Sequence, residues 1–196
     1  MVVRIGVFGG TFDPPHIGHL ITAVNVRHAL SLDTVLMVVA NVPWQKVGTR
    51  AISPAAIRFD LVESAVRDVD GVEACDVELR RGGESYTANT LEDLASLHDD
   101  AEFFVILGSD AAAGLPTWRR FEAVRDLASI VVVDRPGVPT TEALPGWRWN
   151  HVEVPHVEVS STDLRNRVID GRPLEFLLTS STIDAIRRLG LYRDAA

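Results

Sequence analysis

Cysteine is nearly absent: Cys75 stands alone, so no intrachain disulfide is available and packing must hold the fold. No apolar run approaches the length of a membrane span, and the first residues read as a strand rather than a cleaved leader, so a cytoplasmic, non-membrane protein is expected. Positive charge is short: 19 Lys and Arg face 27 Asp and Glu, a formal net charge of −8. That balance argues against nonspecific nucleic-acid binding, but it permits a small anionic substrate, because only the pocket must be positive. No repeat, low-complexity tract or linker divides the chain, and one domain over 1–196 is expected. The Gly-x-Gly-x-x-Gly dinucleotide fingerprint does not follow the first strand.

What is present is ordinary globular material: 196 residues, 46% hydrophobic and 23% charged, enough for a substantial core. Short apolar runs alternate with helical patterns. Val2–Phe8, Val35–Ala40, Phe103–Leu107 and Ile130–Val133 read as buried parallel strands, which predicts an α/β doubly wound sheet. Val72–Leu79 alternates and reads as a further strand near an edge, with Cys75, Val77 and Leu79 on one face and Arg80–Glu84 as the turn after it. Cys75 then reads as core rather than as a nucleophile. Ser53-Pro54 opens a helix with Ser as cap, and Ile57, Leu61, Ser64 and Ala65 give it one packing face. His151–Val154 reads as a short strand and Pro173–Tyr192 as small helices.

The stretch richest in chemistry is Gly9-Gly10-Thr11-Phe12-Asp13-Pro14-Pro15-His16-Ile17-Gly18-His19, between the first strand and the first helix. Gly9 and Gly10 suit a tight turn beside a ligand, and the prolines hold off helix until about His16. His16 and His19, three apart, share a helix face beside N–H groups that attract anions. A plain turn, surface histidines or half a metal site are the competing readings; no Cys or further His lies near to close such a site. Further on, Gly108-Ser109-Asp110 ends a strand and suits either a helix cap or a ribose hydroxyl. Ser160-Ser161-Thr162-Asp163-Leu164-Arg165 suits either a capped helix or a second anion site. Trp118 suits core or a flat ligand.

These strings resemble, in order and spacing, a known family. The His16-Ile17-Gly18-His19 corner resembles the signature of nucleotidylyltransferases, a tetrapeptide also found in class I aminoacyl-tRNA synthetases, for whose anticodon module this chain is too short. With Ser85-Tyr86-Thr87, Thr90-Leu91, Leu115-Pro116-Thr117-Trp118, Arg135-Pro136-Gly137 and the Ser-Ser-Thr string, nearly the whole chain resembles bacterial nicotinate mononucleotide adenylyltransferase. The resemblance implies a Rossmann-like doubly wound parallel sheet of the nucleotidylyltransferase type with a C-terminal helical part, about 156–196. It implies transfer of AMP from ATP to nicotinate mononucleotide in NAD biosynthesis, with Mg²⁺ entering on ATP and no protein metal site. The catalytic set implied is His16, His19, Lys46 and Arg165. Gly9, Gly10, Thr11, Phe12, Gly108, Asp110, Arg135, Ser161 and Thr162 would hold ATP. Tyr86, Thr87, Trp118, Asn41 and Trp44 would hold the mononucleotide, Trp118 by stacking on the cationic pyridine ring. After the second strand the chain departs from the family's Pro-Pro-His-Lys, having Pro43-Trp44-Gln45-Lys46. Other small-molecule nucleotidylyltransferases, of the phosphopantetheine or glycerol-phosphate type, and a noncatalytic nucleotide sensor are the alternatives. A homo-oligomer is left open.

Overall fold

The middle of the sheet is made of runs too apolar to face water on either side. In the computed structural model, which describes residues 2–43, 52–134 and 142–193, strand β2 (Thr34–Val39) buries five consecutive residues, Val35 through Val39. Such a run has no polar face to offer solvent, and it sits where helices cover both sides. β1 (Arg4–Gly10), β3 (Val72–Cys75), β4 (Glu102–Gly108), β5 (Ala128–Asp134) and β6 (Trp149–Glu153) complete the sheet seen among the described residues. Its order is β3-β2-β1-β4-β5-β6 and every pairing is parallel. Val7 of β1 lies in register with Leu36 on one side and Val105 on the other. The strand order reverses direction between β1 and β4, so a crevice opens at the carboxyl ends of those two strands.

One face of the sheet is covered by α1 (Ile17–Ala29) and α2 (Ala55–Val66), through Leu20, Ala23, Val26, Val62 and Ala65. The other face takes α4 (Thr87–Leu97) and α6 (Phe121–Leu127), through Leu91, Leu94 and Val124. A third apolar cluster joins α7 (Ser161–Asp170) and α8 (Ser180–Leu189) to α2, with Leu61 packed against Leu164, Ile183 and Ile186. Both C-terminal helices are capped by side chains: Ser160 Oγ accepts from the Asp163 N–H at 3.1 Å and Thr179 Oγ1 from the Thr182 N–H at 3.2 Å. The described helices contain none long and apolar enough to cross a membrane.

Three expectations need correction. The alternating run 72–79 is not one strand: β3 ends at Cys75 and α3 (Val77–Arg81) follows, so Val77 and Leu79 leave the sheet. A contact from another helix outweighs the alternation there, because Glu78 is drawn inward to accept from the Thr90 hydroxyl at 2.5 Å, and within the new turn Arg80 pairs back with Asp76 at 2.9 Å. The turn then begins at Gly82, not Arg80. Second, α2 starts at Ala55 with Pro54 as its capping residue, and the Ser53 carbonyl is occupied by Arg58 instead. Third, Gly9 and Gly10 do not turn. Both are still in β1, paired with Val38 and Val39, and the left-handed residue of the corner is Phe12, with φ at 49°.

Candidate active site

The crevice beyond β1 and β4 is occupied by two cavities. The larger, about 1020 Å³, is walled by the 10–19 corner, by Leu107 and Gly108, and by the 154–165 stretch that leads into α7. The smaller, about 270 Å³, lies on the far side of β1 and is walled by Gly9, Glu78, Ser85–Thr87, Trp118 and Arg119 among others. Gly10, Thr11 and Leu107 border both.

The corner is held by its own side chains. A Cβ on Gly10 would lie 2.6 Å from the Phe12 ring, so the second glycine exists to let Phe12 fold back over the strand. A Cβ on Gly9 would meet nothing within 4 Å; that direction is open and borders the smaller cavity. The Phe12 ring packs edge-on against His19 with centroids 5.0 Å apart, and His16 stacks on His19 at 3.6 Å. A Cβ on Gly18 would come within 3.2 Å of both His16 and Val159, so the glycine admits these two neighbours.

The two histidines differ in their hydrogen bonding. The His16 N–H of the backbone donates to His19 Nδ1 at 3.1 Å. Neutral His19 therefore carries its proton on Nε2, which makes that atom a donor. His16 Nδ1 is buried with no hydrogen-bond partner among the described residues. Burial lowers the His16 pKa to about 4, so its ring is neutral at pH 7 in the ligand-free protein.

The C-terminal part reaches over this corner. Arg165 donates to the Asp13 carbonyl at 2.8 Å and to Thr162 Oγ1 at 3.1 Å, and the Ser161 hydroxyl donates to the Pro14 carbonyl at 2.8 Å. The Ile17 N–H, first of α1, is taken by the Leu177 carbonyl at 2.9 Å. So part of the helix end expected to receive an anion is already bonded to protein.

Of the residues singled out from sequence, Gly10, Thr11, Phe12, His16, His19, Gly108, Ser161, Thr162 and Arg165 border the larger cavity. Gly9, Tyr86, Thr87 and Trp118 border the smaller, and Trp118 also packs on the core beneath it. Asp110 is exposed on the first turn of α5 (Ser109–Ala113), off both walls. Asn41 borders neither cavity; its amide donates to the Gly83 carbonyl at 2.9 Å and its own carbonyl accepts from Arg58. Trp44, Gln45, Lys46 and Arg135 lie outside the described residues.

The sequence reading overlooked Arg58. Its side chain is 1% exposed, and it donates to three carbonyls: Thr11 at 2.8 Å, Ser53 at 2.9 Å and Asn41 at 3.2 Å. A signal was available, since Arg58 lies three and four residues before Leu61 and Val62 and so shares their buried face. The 154–159 stretch and Glu78 carried no such signal.

Comparison with known proteins agrees with this architecture. The sequence model of the cytidylyltransferase-like family matches residues 7–167. A "probable nicotinate-nucleotide adenylyltransferase" of Desulfitobacterium hafniense is 39% identical over 97% of this chain and 96% of the relative. One of the same name from Streptomyces coelicolor is 41% identical over 94% and 98%. In fold, the chain is similar to Plasmodium falciparum nicotinic acid mononucleotide adenylyltransferase complexed with NaAD, with a TM-score of 0.77 at 16% identity over 97% of each chain. With the family model spanning most of the sheet and relatives aligned almost end to end, the chain belongs to the cytidylyltransferase-like family and, within it, to the nicotinate-nucleotide adenylyltransferase family of these relatives.

Proposed function

We propose that this chain transfers the adenylyl group of ATP to nicotinate mononucleotide, giving nicotinate adenine dinucleotide and pyrophosphate. The observation that carries the reading is the pair of cavities meeting at Gly10 and Thr11, one rich in hydrogen-bond donors and one faced by rings. Two substrates bound on opposite sides of β1 would bring their phosphates together at that border. ATP takes the larger cavity, with its triphosphate toward His16, His19, Ser161, Thr162 and Arg165 and its nucleoside toward Gly108. The mononucleotide takes the smaller, its ring against Trp118 and its carboxylate near Thr87.

The 5′-phosphate of the mononucleotide is already an anionic nucleophile, so no general base is needed. It attacks the α-phosphorus of ATP in line, one P–O bond forming as the bond to pyrophosphate breaks. Catalysis is alignment together with donors aimed at oxygens whose charge grows. His19 Nε2–H and the Arg165 guanidinium supply such donors, and Lys46 assists. Mg²⁺ would enter bound to the triphosphate rather than in a protein cage. That ion would neutralise charge on the leaving pyrophosphate.

The test is pyrophosphate release with Mg²⁺-ATP and nicotinate mononucleotide, beside the amide mononucleotide, phosphopantetheine, and CTP with glycerol phosphate. Release with the nicotinate compound well above the other pairs is expected. Release with none of them, despite measurable ATP binding, would leave a nucleotide sensor.

A further inference from the structure

The C-terminal helical part does more than cover the core, and the detail that shows it is a side chain four residues from the end of the chain. Tyr192 has a left-handed backbone, φ at 59°, a conformation that costs an aromatic residue energy and persists only where surroundings impose it. Its phenol donates to Asp13 Oδ1 at 2.7 Å, across 179 residues of sequence. Asp13 is only 1% exposed, although it lies in the wall of the larger cavity. Its other carboxylate oxygen accepts from the Ser53 N–H at 3.4 Å, and its carbonyl accepts from Arg165. Burial and the adjacent Asp13 carboxylate push the Tyr192 phenol above its usual range, so it stays a donor through neutral and alkaline pH.

The neighbour of Asp13 is Phe12, the second left-handed residue of this assembly, whose ring sits edge-on to His19. A left-handed phenylalanine is held only if the residues on each side are held. On one side Gly10 makes room for the ring, and on the other the Asp13 carboxylate is bonded from two directions. We propose that Tyr192 is a positioning residue for adenylyl transfer: by fixing Asp13 it fixes Phe12, and the Phe12 ring sets the orientation of His19 toward the reacting phosphates. The inference rests on the adenylyl-transfer reading for its kinetic consequence, and on geometry alone for the path from phenol to imidazole.

The experiment compares the full-length protein with Tyr192→Phe, which removes only the hydroxyl, and Arg193→Ala, a neighbouring exposed change whose side chain borders neither cavity. Three readouts are taken: kcat and KM for pyrophosphate release, the fraction folded from thermal unfolding, and the imidazole nitrogen resonances of His19 without substrate. The expected result is a fall in kcat per folded molecule of about tenfold or more for Tyr192→Phe, since small misplacements of aligned groups have effects of that order. KM for ATP should stay within about twofold, the His19 resonances should move, and Arg193→Ala should match the unsubstituted protein. Unchanged kcat per folded molecule, or His19 resonances that do not move, overturns the proposal. If the unsubstituted protein releases no pyrophosphate, the functional reading fails, while the His19 resonances still decide whether the phenol positions the ring.

Discussion

The two cavities share Gly10, Thr11 and Leu107, yet they are built by different rules. The larger is a meeting of distant segments. Its walls come mainly from the chain's first 22 residues and from the 154–165 stretch, with Leu107, Gly108 and Val133 between them, and the corner is tied to the C-terminal part by the Arg165, Ser161 and Leu177 contacts. Its working groups are hydroxyls, a guanidinium and two imidazoles, which suit a ligand whose charge changes during reaction. The smaller also joins distant segments, from Val7 and Val38 to Trp118 and Arg119, but its polar and ring-bearing wall sits at the starts of helices and turns. Ser85, Tyr86 and Thr87 form the entry to α4, and Trp118 closes the 3₁₀ turn Leu115–Thr117. Arg119 lies over the Tyr86 ring at 4.8 Å and Tyr86 bonds to Glu84 at 2.6 Å, so this wall is made of rings held by charged neighbours. On the proposed function, the contrast separates recognition from reaction: one cavity would offer faces to a flat ring, the other donors to phosphates.

That separation can be broken or sharpened by substitution. The largest effect is expected for His19→Ala. Turnover should fall roughly 10²–10³-fold, as for loss of a donor aimed at developing charge, with ATP affinity much less affected. Steady-state kinetics with calorimetric ATP binding gives the comparison, and equal losses in both would mean that His19 merely binds. A smaller effect is expected for Trp118→Ala, which should raise KM for the mononucleotide about fivefold to tenfold and leave KM for ATP alone. A rise in both would show that the cavities do not act independently.

The smallest effect is a pH dependence. His16 titrates near 4 when folded and near 6.5 in the unfolded chain, so between these values the unfolded chain binds more protons. The stability it contributes is therefore fully present above about 6.5 and declines as pH falls toward about 4. Unfolding midpoints of the ligand-free protein across that range should show the decline, and His16→Asn should flatten it. A bound triphosphate should raise the His16 pKa, so ATP binding near pH 5.5 should take up protons, measurable by calorimetry in buffers of different ionisation enthalpy.

Much of this molecule was legible because local pattern and tertiary role coincide. The apolar runs at 35–40 and 103–107 could only be covered strands, and the motif at 9–19 places both histidines where the structure has them. Legibility failed where a long-range partner decides. Glu78 turned an alternating stretch into a helix because Thr90 and Asn41 bond its carboxylate, and neither is near in sequence. The two glycines of the corner were read as a turn, yet their purpose is set by what faces each one: the Phe12 ring beside Gly10, open space beside Gly9. Tyr192 looked like the end of a helical tail, since nothing near it in sequence points to Asp13.

Arg58 has a consequence for how this scaffold can change over time. One guanidinium grips the carbonyls of Asn41 and Ser53, and its third contact is Thr11 on the border of both cavities. The stretch of chain from 41 to 53 thus has both ends fastened to the same rigid planar group. For a segment anchored in that way, each doubling of length adds only about 0.6 kcal/mol of closure entropy. Added length between those anchors is therefore cheap for the fold.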